Sequence, residues 1–322
     1  MNKDADQKIV AVVIPCFRVR KQILGVIKEI GEEVHRIYVV DDACPQQTGS
    51  YVAKECVDPR VRVLFHEANC GVGGATITGY RQAMRDGADL IVKLDGDGQM
   101  DPHHIPMLIA PILSGVADYA KGNRFYYPEG VQQMPFVRLV GNAALSFITK
   151  FSSGYWDIFD PTNGFTAIHA KVAERLPLEK IEQRYFFESD MLFRLNTIRA
   201  VVMDIPMRGK YADEESNLNV FRAIPEFTFK HTRNAVKRII YNYYLRDFSI
   251  VSLELCAGIP MLFFGIVVGI NAWLHSVQTG IVATSGTVML AALPTLVGIQ
   301  LLLSFLSADF GNVPKIPLQK RC

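Results

Sequence analysis

Two apolar runs near the C-terminus constrain this chain more than any other feature. "LCAGIPMLFFGIVVGINAWL" occupies residues 255–274 and "VMLAALPTLVGIQLLLSFL" residues 288–306, and neither carries a charged side chain. Each is about as long as a helix must be to cross a hydrocarbon layer of roughly 30 Å. Pro260, Pro294 and the glycines are compatible with such helices. A pair of buried core helices is the competing reading.

The connecting "HSVQTGIVATSG" has no Lys or Arg. Lys230, Arg233, Lys237, Arg238 and Arg246 precede the first run, and Lys315, Lys320 and Arg321 follow the second. Positive side chains favour the cytoplasmic side, so both outer flanks are expected there, in a plasma or inner membrane. Residues 248–322 then read as a transmembrane hairpin with a cytosolic tail. Residues 221–247, "FRAIPEFTFKHTRNAVKRIIYNYYLRD", mix basic with aromatic and aliphatic side chains, as amphipathic juxtamembrane helices on anionic lipid do. Residues 1–220 are expected to form a cytosolic domain. The N-terminal "MNKDADQK" is polar and is not read as a signal peptide. Gly265 and Gly269, four residues apart, allow close helix packing, so a homo-oligomer is an open expectation.

The 322 residues are 49% hydrophobic and 20% charged, with a net charge of +2. That composition supports a sizeable core and excludes a disordered chain. It shows no basic footprint for nucleic acid. The six cysteines are scattered with no C-x-x-C, so neither a zinc site nor a disulfide framework is expected.

Within residues 1–220, "IVAVVIPCF" (9–17) is a nearly continuous apolar, β-branched run, as a strand buried on both faces requires. "RIYVVDDA" (36–43), "VRVLFH" (61–66) and "DLIVKLDGDG" (89–98) predict further strands, and "GVGGATITGYRQAMRDG" (71–87) a helix. Alternation at this spacing predicts a parallel, doubly wound α/β sheet. Ligands bind such sheets beyond the carboxyl ends of the strands. Those ends carry residues 15–17, Asp41 with Asp42, and Asp95 with Asp97.

Familiar loops do not account for these acids. "NCGVGGATITG" lacks the G-x-G-x-x-G order, and no G-x-x-x-x-G-K-[ST] occurs. "DGDGQMD" opens like a calcium loop, but position twelve is Pro106 where a bidentate Glu is needed. A solvated turn is one reading of Asp95-x-Asp97. The other is a site for a hard cation such as Mg2+ or Mn2+, which takes one or two carboxylates and completes its shell with phosphate oxygens and water.

The segments "VVIPCF", "VVDDACPQQT", "KLDGDGQMDP", "GNRF", "DPTNGFTA", "FFESDMLFRL" and "MRGKYADEESNL", followed by the helix pair, occur in an order that resembles GT-A glycosyltransferases of family 2. The resemblance is to the polyisoprenyl-phosphate glycosyltransferases, which include dolichol-phosphate mannose synthases and bactoprenol glucosyltransferases. It covers nearly the whole chain. The tail "LSADFGNVPKIP" looks most like the bacterial glucosyltransferase branch.

The resemblance implies a Rossmann-like, mostly parallel GT-A domain, a nucleotide-sugar donor and a polyprenyl phosphate acceptor. It places Pro15, Phe17 and Asp42 at the donor's base and ribose. Asp95, Asp97 and Gln99 would hold Mg2+ or Mn2+ on the diphosphate. Arg124, Arg138 and Asn142 would grip the acceptor phosphate, and Arg208 the donor diphosphate. Asp157 enters as a further catalytic candidate, while Asp157, Asp160, Glu188 and Asp190 remain open between catalytic and structural roles. Inverting transfer of glucose from UDP-glucose is the expectation. GDP-mannose-dependent mannose transfer is the first alternative. A processive polysaccharide synthase is disfavoured because Q-x-x-R-W is missing and two helices are few for a channel. A catalytically silent sugar-nucleotide sensor is disfavoured by the intact Asp95, Asp97 and Gln99.

Overall fold

The computed structural model describes residues 8–127, 136–208 and 220–321. Two compact units emerge. One comprises Met1–Val236 with Pro314–Cys322, and the other Lys237–Val313.

The first unit contains β1 (Val10–Cys16), α1 (Ile23–Lys28), β2 (Arg36–Asp41), α2 (Thr48–Glu55), β3 (Val61–Phe65), α3 (Gly71–Arg85), β4 (Leu90–Lys93), α4 (Ile105–Leu113) and β5 (Tyr119–Asn123). Next come α5 (Phe136–Ser153), β6 (Thr166–His169), α6 (Ala170–Ala173), α7 (Phe187–Thr197), β7 (Val202–Pro206) and most of α8 (Val220–Ile240). The seven strands form one sheet in the order β3-β2-β1-β4-β6-β5-β7. Strands β1 to β4 pair in parallel, as their near-continuous apolar character predicts. Every residue of β1 is buried.

The sheet departs from all-parallel at β6, which runs antiparallel to both neighbours, β4 and β5. The excursion through residues 124–165 leaves from the carboxyl end of β5 and returns at that same end, so the next strand must run back. Strand β7 pairs parallel with β5. The α3 helix lies close on β1: a Cβ on Gly79 would meet the Val13 side chain 2.8 Å away or less. A small residue is needed there for the helix to approach the strand. The C-terminal residues join this unit through Asp118, a fully buried acid whose carboxylate accepts the backbone N–H groups of Leu318 (2.7 Å) and Gln319 (2.8 Å).

The second unit holds a π-helical turn (Tyr241–Arg246), α9 (Ile250–Thr279) and α10 (Ser285–Gly311). Both long helices have the length and apolarity of membrane spans, and only 11% of the apolar window in each is buried within the protein. Helices of this chain's own core would be mostly covered, so the core-helix reading fails. The pair packs through glycines. A Cβ on Gly298 would lie 2.6 Å from the Leu262 backbone nitrogen, and one on Gly265 2.7 Å from the Ala291 carbonyl oxygen. Gly265 therefore packs the chain's own second helix, and it gives no support to self-association. Polar groups gather toward the helix ends. Arg238 forks onto Asp309 at 2.6 and 3.0 Å, and the Tyr243 hydroxyl donates to the same carboxylate at 2.6 Å.

Candidate active site

Beyond the carboxyl ends of β1, β2 and β4 opens a cleft of about 500 Å³. Parallel register brings the ends together: Cys16 stands opposite Asp41, and Val13 opposite Lys93. Pro15, Phe17, Asp42, Asp95 and Asp97 all line the cleft. Arg184 and Tyr185, from the loop before α7, line it as well.

Asp95 is the second residue after β4, and its side chain is 28% exposed. Its Oδ1 accepts from Lys93 Nζ at 2.7 Å. Among the described residues no hydrogen bond reaches Oδ2. Asp97 follows across a turn that Gly98 closes with φ +79. Asp97 Oδ1 accepts the Gln99 backbone N–H at 2.9 Å, the side-chain-to-backbone bond that stabilises an Asx turn. A Cβ on Gly164 would sit 2.7 Å from Asp95 Oδ2, so residue 164 has to be glycine for that carboxylate to lie where it does. Hard carboxylate oxygens at a cleft mouth suit Mg2+ or Mn2+. Asp95 Oδ2 and the Asp97 carboxylate, both in the lining, are oxygens of the kind that fit such a cation, whereas Gln99 is outside that lining.

Asp42 behaves differently. It is buried, with its Oδ1 accepting the Cys70 N–H and its Oδ2 the Gly71 N–H, both at 2.7 Å. His66 Nδ1 lies 2.8 Å from Oδ1. Asp42 thus ties the β3–α3 loop into the cleft wall. Asp42, His66 and Cys70 come within metal-ligand reach of one another. That trio is closed, because His66 Nε2 is already bonded to Thr78 and the Asp42 oxygens hold backbone donors.

Of the other residues singled out in the sequence, Gln99, Arg124, Asn142, Asp157 and Arg208 stand outside the lining of the cleft. Arg124 forks onto the fully buried Asp160, with Nε to Oδ2 at 2.8 Å and a terminal nitrogen to Oδ1 at 3.0 Å. Asp160 is therefore an arginine holder. Asp157 is exposed, Arg208 is exposed just past β7, and Asn142 sits half-buried on α5. The Arg138 side chain lies outside the described residues.

Asp190 is buried and fully engaged. Its Oδ2 accepts from Arg194 (2.8 Å) and the Glu182 N–H (3.1 Å), and its Oδ1 accepts from Asn234 (2.9 Å). Glu188, two residues earlier, lies 3.3 Å from Lys93 Nζ.

Sequence reasoning missed two buried lysines. Lys93 and Lys121 end or interrupt otherwise apolar strands and have no exposed surface. A lysine inside such a strand is a signal in itself, since a buried ammonium needs partners. Burial would lower the Lys93 pKa, but the Asp95 and Glu188 carboxylates outweigh it and hold the ammonium above the usual lysine value. For Lys121 burial prevails over Asp160, Glu188 and Asp204 and brings it down to about 8. Asp204 is pushed up to about 6, chiefly by burial.

Residues 11–176, just over half the chain, match the family model described as glycosyl transferase family 2. A UDP-N-acetylglucosamine–dolichyl-phosphate N-acetylglucosaminyltransferase of Methanococcus voltae is 30% identical over 64% of this chain and 87% of its own. A polyprenol monophosphomannose synthase of Mycolicibacterium smegmatis is 31% identical over 61% of this chain and 75% of its own. Among solved structures, glucosyl-3-phosphoglycerate synthase of Mycobacterium tuberculosis superposes with a TM-score of 0.54 at 17% identity, covering 72% of this chain and 80% of that one, which identifies the GT-A fold. With its cleft at the ends of a mostly parallel sheet and a family match across that sheet, this chain belongs to glycosyltransferase family 2.

Proposed function

We propose that the protein transfers a hexose from a nucleotide diphosphate-sugar to a polyprenyl phosphate at the cytosolic face of a membrane, with inversion at the anomeric carbon. The observation that carries this reading is one chain holding both a cleft edged by Asp95 and Asp97 and two helices of membrane-spanning length. A polyprenyl chain stays in its leaflet because each CH2 exposed to water costs about 0.8 kcal/mol. An enzyme acting on its phosphate must therefore work at the surface. The relatives' names, which specify dolichyl and polyprenol phosphates, support the acceptor class.

The attacking atom is a phosphate oxygen. A phosphate monoester has its second pKa near about 6, so the nucleophile is an anion at neutral pH and needs positioning more than deprotonation. Asp190 fits that economy, since it is fully buried and both of its oxygens already accept hydrogen bonds from protein donors. Pro15 and Phe17 supply an apolar wall for the nucleotide base. Asp95, Asp97 and Gln99 would hold Mg2+ or Mn2+, which when bound supplies charge stabilisation for the departing diphosphate. Arg208, exposed just past β7 and outside the cleft lining, is the cation that the resemblance assigns to the donor diphosphate. Arg124 offers a guanidinium fixed by Asp160 to an anionic acceptor, with Arg138 and Asn142 as its companions.

The test is a donor panel with undecaprenyl phosphate and Mn2+, read as lipid product on thin-layer plates. UDP-glucose is the donor that the tail's resemblance favours, GDP-mannose is the first alternative, and the name of one relative adds UDP-N-acetylglucosamine as a comparator. No lipid product with any of them, from folded protein, overturns the proposal. In the same assay Asp190→Asn is expected to retain a measurable share of turnover. A loss as deep as that of an Asp95 variant, in a folded protein, would mean that an acid base is needed after all.

A further inference from the structure

One of the carboxylates that line the cleft, Asp95, is held by a side chain outside that lining. Lys93 ends β4, and its side chain is 1% exposed. Its Nζ donates to Asp95 Oδ1 at 2.7 Å and to the Gly164 carbonyl at 3.3 Å, and lies 3.3 Å from Glu188 Oε1. An ammonium has three N–H donors and no acceptor, and here it meets three acceptors. They come from three separate stretches: the loop after β4, the turn before β6 and the first turn of α7. A Cβ on Gly164 would collide with Nζ itself, so the glycine is matched to the lysine as well as to Asp95.

We infer that Lys93 and Glu188 are positioning residues for the cation site. Lys93 holds Asp95 by Oδ1, which leaves Oδ2 as the oxygen available to a cation. Glu188 holds Lys93 from the far side and ties α7 to that arrangement. The ion pair also gives Glu188 a role other than that of a base. This inference rests on the metal-assisted transfer proposed above.

The experiment measures Mn2+ affinity of the full-length protein in detergent, by the electron paramagnetic resonance signal of free Mn2+, with UDP and then GDP present. Lys93→Met is expected to weaken Mn2+ binding at least tenfold while metal-free nucleotide binding stays within twofold of wild type. Lys93→Met leaves two neighbouring carboxylates unpaired. If it does not fold, the Glu188 variants decide. Glu188→Gln keeps an oxygen acceptor for Nζ and is expected within threefold of wild type, whereas Glu188→Met is expected to lose at least fivefold. At saturating Mn2+ the donor KM should hold while kcat falls. Wild-type Mn2+ affinity in both Lys93→Met and Glu188→Met overturns the inference and leaves the proposed function standing. Wild-type protein that turns over donor but binds no Mn2+ overturns the metal assignment, and this inference with it.

Discussion

The cleft at the strand ends and the apolar hairpin handle charge in opposite ways. In the unit that holds the cleft the protein buries ionisable groups: Lys93, Lys121, Asp160 and Asp190 are buried, and each is met by specific partners. In the hairpin, charge is kept out of the apolar windows. Glu254 accepts from Ser304 at 2.8 Å near one end, and Arg238 meets Asp309 beyond the apolar run. The middle is held by glycines at backbone contact. The difference fits the function proposed above. A site for a polyanionic ligand needs fixed charges, and fixing them takes a buried polar network. A lipid-facing helix gains nothing from charge and packs by close approach instead.

The comparison breaks first at the acids. Asp95→Asn and Asp97→Asn are each expected to lower turnover about 10²–10³-fold or more, as the loss of a main electrostatic stabiliser does; melting should be little changed in Asp97→Asn and lower in Asp95→Asn, where buried Lys93 loses one of its two carboxylates. A loss below tenfold would show that the strand-end charges are not what the cleft depends on. The next test is in the hairpin unit. Arg238→Met leaves Asp309 buried without its cation and should cost about 3–5 kcal/mol, read as a lowered midpoint of thermal unfolding in detergent. Nucleotide binding should survive at temperatures below that midpoint.

A third test sharpens the account of the buried network. Asp204 has its folded-state pKa raised to about 6, mainly by burial. The folded protein therefore holds that proton more tightly than the unfolded chain. Stability from this group is fully present below the unfolded value near 4 and is lost as pH rises through about 6, by at most about 3 kcal/mol. Asp204→Asn should flatten that slope in denaturant titrations between pH 4 and 7, and an unchanged slope would place the titration elsewhere. The smallest effect is expected for Gly265→Leu, where a side chain would press on Ala291 and Thr295. Overpacking of this kind costs about 1–3 kcal/mol, seen as a lower melting temperature with donor affinity intact.

Much of the frame was legible from residue order. The four parallel strands lie where their apolar runs predicted; β1, buried along its whole length, shows the reason most clearly, whereas β3 at the sheet edge has no fully buried residue. Asp95 and Asp97 were visible as acids at a strand end, and the hairpin was visible from length and apolarity alone. Contacts far apart in sequence were not legible. Arg124 looked like an open phosphate fork, but Asp160, 36 positions away, grips it in the structure. Asp42 lines the cleft where it was expected, but its hold on backbone N–H groups of a loop 28 residues on was not visible in the sequence. Gly265 looked like a docking stripe and packs against the chain's own Thr295.

The order of residues by itself determined the alternation of strands and helices, the two uncharged spans and the place of the acid pair, because each depends on local pattern and on the period of a single element. Only the tertiary structure decided that β6 runs against its neighbours, that Lys93 joins Asp95 to Glu188 across three stretches of chain, and that Asp190 and Asp160 are held rather than open. Those facts turn on which charged groups meet after the sheet has formed. A buried ion takes its role from the partner that satisfies it, and no local pattern names that partner.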